Sequence, residues 1–154
     1  MLLNQQHLEL LKKGGAITWN AWRQSHPEII PELYGADLSG VDLHTYNLSL
    51  SHLTDANLCN ANLSASDLIE AHLNGANLCN ADLSRAILIE AKLEYCDLRG
   101  ANLTDADLTG ADLGGANFAT ANLSGANLNW TRLTDAIITA EQLSSVKSHL
   151  ESLL

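Results

Sequence analysis

Residues 56–85 read ANLCN ANLSA SDLIE AHLNG ANLCN ADLSR, and this five-residue period decides the fold. It continues without an insertion from Ala36 to Ala140, which makes 21 consecutive units. The third residue is Leu in 19 units, and the exceptions, Phe118 and Ile138, are also apolar. The first residue is Ala in 15 units, and the second is Asp or Asn in 15. A repeat this regular must be explained before any local motif.

A period of five fits neither the 3.6-residue period of an α-helix nor the two-residue period of a strand. The backbone must instead direct two residues of every five inward and three outward. A square coil does this, because each unit forms one side and four successive units close one turn. The Leu and the small first residue then fill the shaft, while the Asp or Asn side chain bonds the backbone near each corner.

The repeat unit resembles the A(D/N)LXX motif of the pentapeptide-repeat family, and the resemblance covers residues 36–140. It implies an all-β solenoid, a right-handed quadrilateral β-helix of about five coils. Tyr46 departs from the pattern, since its ring is too large for the place of an Ala. We therefore expect the Tyr46 ring to reach toward the N-terminal end.

The two flanks predict helical caps. Residues 1–35 are predicted to form an N-terminal cap of two helices, 3–13 and 16–25, separated by Gly14 and Gly15. Its apolar surface is expected from Leu3, Leu8, Leu11, Ile17, Trp19 and Trp22.

At the other end, residues 139–154 are predicted to form a C-terminal cap. Thr139 and Gln142 have the spacing of a capping box, and a helix over 139–153 is predicted. Its apolar residues are Leu143, Val146, Leu150 and Leu153. Because helices would cover both open coil ends, we predict a monomer.

Composition restricts the classes of function. The chain carries 8 basic and 18 acidic residues, a net charge of −10, which argues against non-specific binding to DNA or to anionic membranes. No apolar run approaches the length of about 20 residues that spans a bilayer. Three cysteines are typical of a reducing compartment, so we expect a cytoplasmic protein without structural disulfides.

Stacking of residues four units apart brings a few chemically interesting side chains together. His52 and His72 share a column and could bind a metal with Asp55, although a solvated pair is the preferred interpretation. Cys59 lies over Cys79, where free thiols are favoured over a disulfide. No set of nucleophile, base and orienting group can be assembled. We therefore predict no enzyme activity, no metal and no cofactor.

One side of the coil differs from the others, and we call it the acidic face. It comprises the outward positions of the five units that begin at residues 46, 66, 86, 106 and 126. Its acidic residues are Asp67, Glu70, Glu90 and Asp107, and its apolar ones include Leu50. The candidate interaction patch consists of Ile69, Glu70, Ile87, Ile89, Glu90 and Trp130. The alternative is that residues of high β-propensity merely fill a flat surface.

Two functions are therefore considered. The first is a non-catalytic structural or protein-interaction module. The second follows from the resemblance, since some pentapeptide-repeat proteins are acidic rods that bind DNA gyrase in place of DNA. Five coils span about 24 Å, over which duplex DNA carries about 14 negative charges. The four sides here carry −1, −2, −4 and −2, which favours the interaction module.

Overall fold

The computed structural model describes residues 2–147, with side chains from residue 5 onward. Helix α1 spans Leu2–Ser25 and is broken at Gly15, whose φ of 64° and ψ of 175° are not helical. Helix α2 spans Ala140–Ser145. Between them the repeats form a β-helix solenoid. Neither described helix has the length and apolarity that crossing a bilayer requires.

Parallel bridges between successive coils define the solenoid. The second residue of each unit pairs with the equivalent residue four units later, in 18 bridges that begin at Glu32↔His52 and end at Asn117↔Ile137. Within residues 2–147 these contacts are single-residue bridges rather than extended strands. One coil therefore consists of four units, as the sequence predicts.

Three backbone hydrogen bonds join each unit to the unit below it. Leu48 N–H donates to the Asp67 carbonyl at 2.7 Å, and Asp67 N–H donates to the Tyr46 carbonyl at 2.9 Å. Leu50 N–H donates to the Ile69 carbonyl at 2.9 Å. The same pattern recurs on every side, so the outer coils are left with donors and acceptors that the repeat itself cannot pair.

Every unit from 31–35 to 131–135 ends on a residue with a left-handed backbone. Seven of these positions are Gly and 14 are not, including Glu70 (φ 53°) and Glu90 (φ 57°). This conformation turns the chain from one unit into the next. It is costly for residues other than Gly, so each corner of that kind stores strain that packing must offset.

Leucine columns fill the shaft. From Leu33 to Leu128 the third residue of every unit is no more than 1% exposed. Burial of each such side chain contributes about 1.5–3 kcal/mol. Where a first residue is polar it can be satisfied locally: the Ser66 hydroxyl donates to the Leu63 carbonyl at 2.7 Å.

The β-helix begins at residue 31, one unit earlier than predicted. Glu32 bridges His52, and Leu33 N–H donates to the His52 carbonyl at 2.9 Å. Pro31 is tolerated because it is the first residue of the first unit, and its carbonyl accepts from His52 N–H at 2.9 Å. Residues 31–140 thus contain 22 units, and the predicted boundary at residue 36 is wrong.

Side chains of α1 replace a missing coil above residues 46–50. The Trp19 indole N–H donates to the Asn47 carbonyl at 2.6 Å. The Asn20 side-chain oxygen accepts from Asn47 N–H at 2.8 Å. The Arg23 guanidinium donates to the Ser49 carbonyl at 2.9 Å. All three backbone groups that a preceding coil would pair are thereby satisfied.

Tyr46 reaches toward α1, as the sequence predicts. Its hydroxyl donates to the Leu11 carbonyl at 3.3 Å, and its ring stacks at 6.4 Å from Trp19. Ile17 was expected to add apolar surface to this packing, but it is 89% exposed. Trp19 and Arg23 fix which side of the helix faces the coil, so Ile17 faces solvent. The side chain of Leu3 lies outside the described part.

The predicted helix over 139–153 is wrong at residues 146 and 147, since α2 ends at Ser145. The capping box at Thr139 is present, but Val146 is extended, with φ −73° and ψ 153°. Lys147 N–H then donates to the Ala126 carbonyl at 2.9 Å. The backbone of Lys147 therefore pairs with the open edge of the last coil instead of continuing the helix. Leu150 and Leu153 lie outside the described residues.

Candidate functional site

Successive parallel bridges hold the acidic face together. They run from Asn47 to Asp67, Ile87, Asp107 and Asn127. This register stacks Ile69 over Ile89 at the fourth position of their units. It stacks Glu70 over Glu90 at the fifth position. The members of the candidate patch between residues 69 and 90 therefore lie on two adjacent coils, about 4.8 Å apart.

The apolar side chains of this face are exposed to different degrees. Leu50 is 43%, Ile87 39% and Trp130 74% exposed. Ile69 and Ile89 are half-buried, as are the fourth residues of the neighbouring units. Together they form a low apolar strip rather than protruding anchors.

All charged side chains in the five units of this face are acidic. Its five units contain four carboxylates and no Lys or Arg. Glu70 and Glu90 are exposed, and within residues 2–147 neither forms an ion pair or a side-chain hydrogen bond. Like charges directly opposed on neighbouring strands are destabilising. Within the described residues, the Glu70 and Glu90 carboxylates therefore contribute no ion pair or side-chain hydrogen bond to the fold.

The other two carboxylates have structural roles. Asp67 accepts from Ile69 N–H at 3.0 Å, and Asp107 accepts from Thr109 N–H at 3.1 Å. These are the corner contacts expected of Asp at the second position. Asp107 also accepts from the Asn127 amide at 3.2 Å. Glu70 and Glu90 are therefore the acidic side chains of this face available to a partner.

A neighbouring side carries the two stacked histidines. The rings of His52 and His72 lie 5.0 Å apart. His52 Nδ1 is 3.2 Å from Glu32 and 2.9 Å from the Tyr34 hydroxyl. Burial, then the charges of His52 and Lys92, lower the pKa of His72. Within the described residues no three His, Cys, Asp or Glu side chains are placed to hold a metal, so Asp55 does not complete a site.

Sequence reasoning missed an ion-pair network on the same side. The Arg132 guanidinium reaches Asp112 at 2.8 Å and extends over a second coil to Glu94. It lies over Gly114, where an added Cβ would meet the guanidinium at 2.9 Å. In the sequence, residues 92, 112 and 132 alternate in charge. The absence of a side chain at Gly114 leaves the space through which Arg132 extends to Glu94.

The three cysteines occupy two environments. Cys59 and Cys79 are half-buried free thiols on adjacent coils. Burial, followed by the neighbouring Cys79, raises the pKa of Cys59. Cys96 fills a first position in the shaft, and burial raises its pKa to about 12. Its thiol donates to the Leu73 carbonyl at 2.9 Å, which is core packing, as the sequence predicts.

Comparisons with known proteins agree with this architecture. The family described as Pentapeptide repeats matches residues 47–85, 66–105 and 101–139, with eight copies. The crystal structure of the pentapeptide repeat protein Rfr23 from the cyanobacterium Cyanothece 51142 is 34% identical, with a TM-score of 0.70. That match covers 81% of this chain and 97% of Rfr23.

Two further solved structures are less similar. HetL, a pentapeptide repeat protein involved in heterocyst differentiation regulation in the cyanobacterium Nostoc sp. strain PCC 7120, is 31% identical. Its TM-score is 0.45, and the match covers 71% of this chain and 68% of HetL. QnrB1, a plasmid-mediated fluoroquinolone resistance protein, is 20% identical with a TM-score of 0.49, covering 80% and 79% of the two chains. The comparison with curated protein sequences gives no significant match.

Proposed function

This chain belongs to the pentapeptide-repeat family, and on that premise we propose that it is a non-catalytic protein-interaction module whose contact surface is the acidic face. The partner is a basic protein surface with an apolar centre. The observation that carries the proposal is the stacking of Glu70 on Glu90 beside Ile69 and Ile89. Folding gains nothing from that charge pair, whereas a basic partner relieves it.

The environments of the reactive side chains support a role without catalysis. The Cys96 thiol is closed off in the shaft and protonated. His52 is held between Glu32 and Tyr34, where it orders the coil. A serine hydroxyl at a fourth position can donate within its own unit, as Ser64 does to Asn62 at 2.6 Å. These groups serve the packing and hydrogen bonding of the coil.

We further propose the right-handed quadrilateral form, closed by α1 and α2 and monomeric in solution. The support at the first coil is the set of bonds from Trp19, Asn20 and Arg23. At the last coil, the Gln142 amide donates to the carbonyls of Phe118 at 2.7 Å and Ala121 at 2.9 Å. A cytoplasmic location is supported by three free cysteines.

The DNA-mimic function is the weaker alternative. Negative charge does not follow a continuous track, because Arg99 and Arg132 are paired with carboxylates on two other sides. Duplex DNA presents one negative charge per about 1.7 Å of its axis, a density that no side reaches. We expect the purified protein to leave gyrase supercoiling unchanged. Inhibition or protection of gyrase would replace the present proposal.

A charge-reversal pair tests the acidic face. Glu70→Lys/Glu90→Lys is compared with Asp55→Lys/Asp135→Lys, which makes the same charge change at left-handed corner positions of another side. Proteins retained from native lysate are quantified at low and high salt. We expect the first variant to lose its partner and the control to keep it, with salt weakening the wild-type contact. Equal retention by both variants would exclude this face.

A further inference from the structure

Cys59 and Cys79 occupy identical positions on adjacent coils. Asn57 bridges Asn77, and each amide oxygen accepts from the N–H of the cysteine two residues later, at 3.2 and 3.1 Å. The two thiols are free and half-buried. The two side chains therefore lie next to each other and point outward, on a side of the coil separate from the acidic face.

Their spacing distinguishes between the possible products of a thiol pair. Stacked residues of adjacent coils are about 4.8 Å apart. That spacing lies within the Cα range of a disulfide, but the Cβ atoms must be about 3.8 Å apart, so two parallel side chains would have to twist toward each other. Two metal–thiolate bonds as long as those of zinc, about 2.3 Å each, span about 4.6 Å in a line, which parallel side chains reach without that twist.

With only two cysteine ligands, the pair can bind only a metal ion that accepts a low coordination number. Structural zinc takes four ligands, and within residues 2–147 no third His, Cys, Asp or Glu joins this pair. Soft thiolates select copper(I), a closed-shell ion that accepts two ligands in a line. We propose that Cys59 and Cys79 bind one monovalent thiophilic ion of the copper(I) class as a two-coordinate bridge between coils.

Neighbouring polar groups suit the charge of such a complex. Two thiols and one monovalent ion give a bis-thiolate of net charge −1, with release of two protons and no transfer of electrons. The Asn60 amide donates to the Cys59 sulfur at 3.3 Å. Arg99 follows Cys79 in the same column one coil below, where Asp97 holds its guanidinium at 2.6 Å. An amide donor thus contacts one sulfur, and the Arg99–Asp97 ion pair lies below the other.

Proton release gives the site a pH dependence. Because each bound ion displaces both thiol protons, binding should tighten as the pH rises.

The test is an anaerobic titration of the full chain with copper(I) against a chromophoric copper(I) chelator. We expect one ion per chain, two protons released per ion, and an X-ray absorption signature of two sulfur ligands. Cys59→Ser and Cys79→Ser should each abolish the one-to-one complex. Ser is compatible with this position, since Ser64 and Ser84 occupy it in other units. Cys96→Ala is the matched control and should bind as the wild type does.

Unfolding curves without copper verify that the Ser variants are folded. A one-to-one complex that persists in either Ser variant would overturn the proposal. So would a complex that links two chains, or failure to compete with the chelator. Conversion of the pair to a disulfide instead, seen as the loss of two hydrogen atoms in the intact mass, would also overturn it.

Discussion

The Trp19 indole N–H lies 2.6 Å from the Asn47 carbonyl oxygen, and this bond takes the place of a backbone bond from a preceding coil. In the next coil the equivalent carbonyl, that of Asp67, accepts from Leu48 N–H at 2.7 Å. A side chain of α1 thus imitates the backbone of a repeat. Trp19 is fully buried, whereas Asn47 lies at a half-buried position.

Trp19→Phe keeps most of the ring and removes the donor. The half-buried Asn47 carbonyl then lacks its partner, and we expect a loss of about 0.5–1.5 kcal/mol in the free energy of unfolding. Urea unfolding followed by circular dichroism measures it. Ile17→Ala, on the same helix but 89% exposed, is the control and should stay within about 0.5 kcal/mol of wild type. Equal effects of the two changes would show that the indole bond contributes nothing.

Leu78→Ala tests the leucine columns. Leu78 is fully buried in the middle of the shaft, so its truncation leaves a cavity between packed coils. We expect a loss of about 2–5 kcal/mol in the free energy of unfolding, measured with urea. A loss below about 1 kcal/mol would mean that the shaft collapses easily around the gap, contrary to close packing.

The left-handed corners can be tested with a reciprocal pair. Ala65 has φ 54°, so Ala65→Gly removes strain and should raise stability by up to about 1 kcal/mol. Gly40 has φ 65° and no neighbouring atom within 4 Å of the place that a Cβ would take, so Gly40→Ala adds strain alone. It should cost about 1 kcal/mol. Thermal unfolding compares the two, and changes of the same sign would contradict stored corner strain.

Stability should fall in mild acid because of His7. Its Nδ1 accepts from Glu32 N–H at 3.0 Å, and burial lowers its pKa below 6.5. A base with a lowered pKa binds protons more readily in the unfolded chain. Its contribution is therefore complete above about pH 6.5 and is lost as the pH falls through the folded-state pKa.

The His7→Gln variant separates this effect from other titrations. It should unfold with a flatter pH dependence below about pH 6.5, while His72, whose pKa is also lowered, keeps part of the slope. Urea midpoints measured between about pH 7.5 and about pH 5, a range chosen to bracket the ordinary histidine pKa of about 6.5, provide the comparison. An unchanged slope would assign the acid sensitivity to other groups.

The repeat period was enough to predict the coil of four units, the leucine columns and the position of Tyr46. These follow because side-chain size and periodicity alone determine what fits inside the shaft. The early start at Pro31 could have been found, since PELYG has Leu33 and Gly35 at the repeat positions. The end of α2 could not, because it depends on pairing between Lys147 and Ala126, which are far apart in sequence.

The candidate surface was only partly predictable. Stacking of units on adjacent coils correctly brings Glu70 beside Glu90. The half-burial of Ile69 and Ile89 matches that of the fourth residues in neighbouring units, so it follows from their repeat position. The reach of Arg132 over Gly114 was missed because it depends on space left by a neighbour, which a map of outward positions does not contain.

Photo-cross-linking in cells tests the contact surface most directly. A photoreactive phenylalanine analogue replaces Ile89 on the acidic face, or Ser84 at the same repeat position on the adjacent side of the same coil. We predict a discrete adduct from position 89, absent from position 84 and abolished by Glu70→Lys/Glu90→Lys. No adduct from position 89, or the same adduct from both positions, would contradict it.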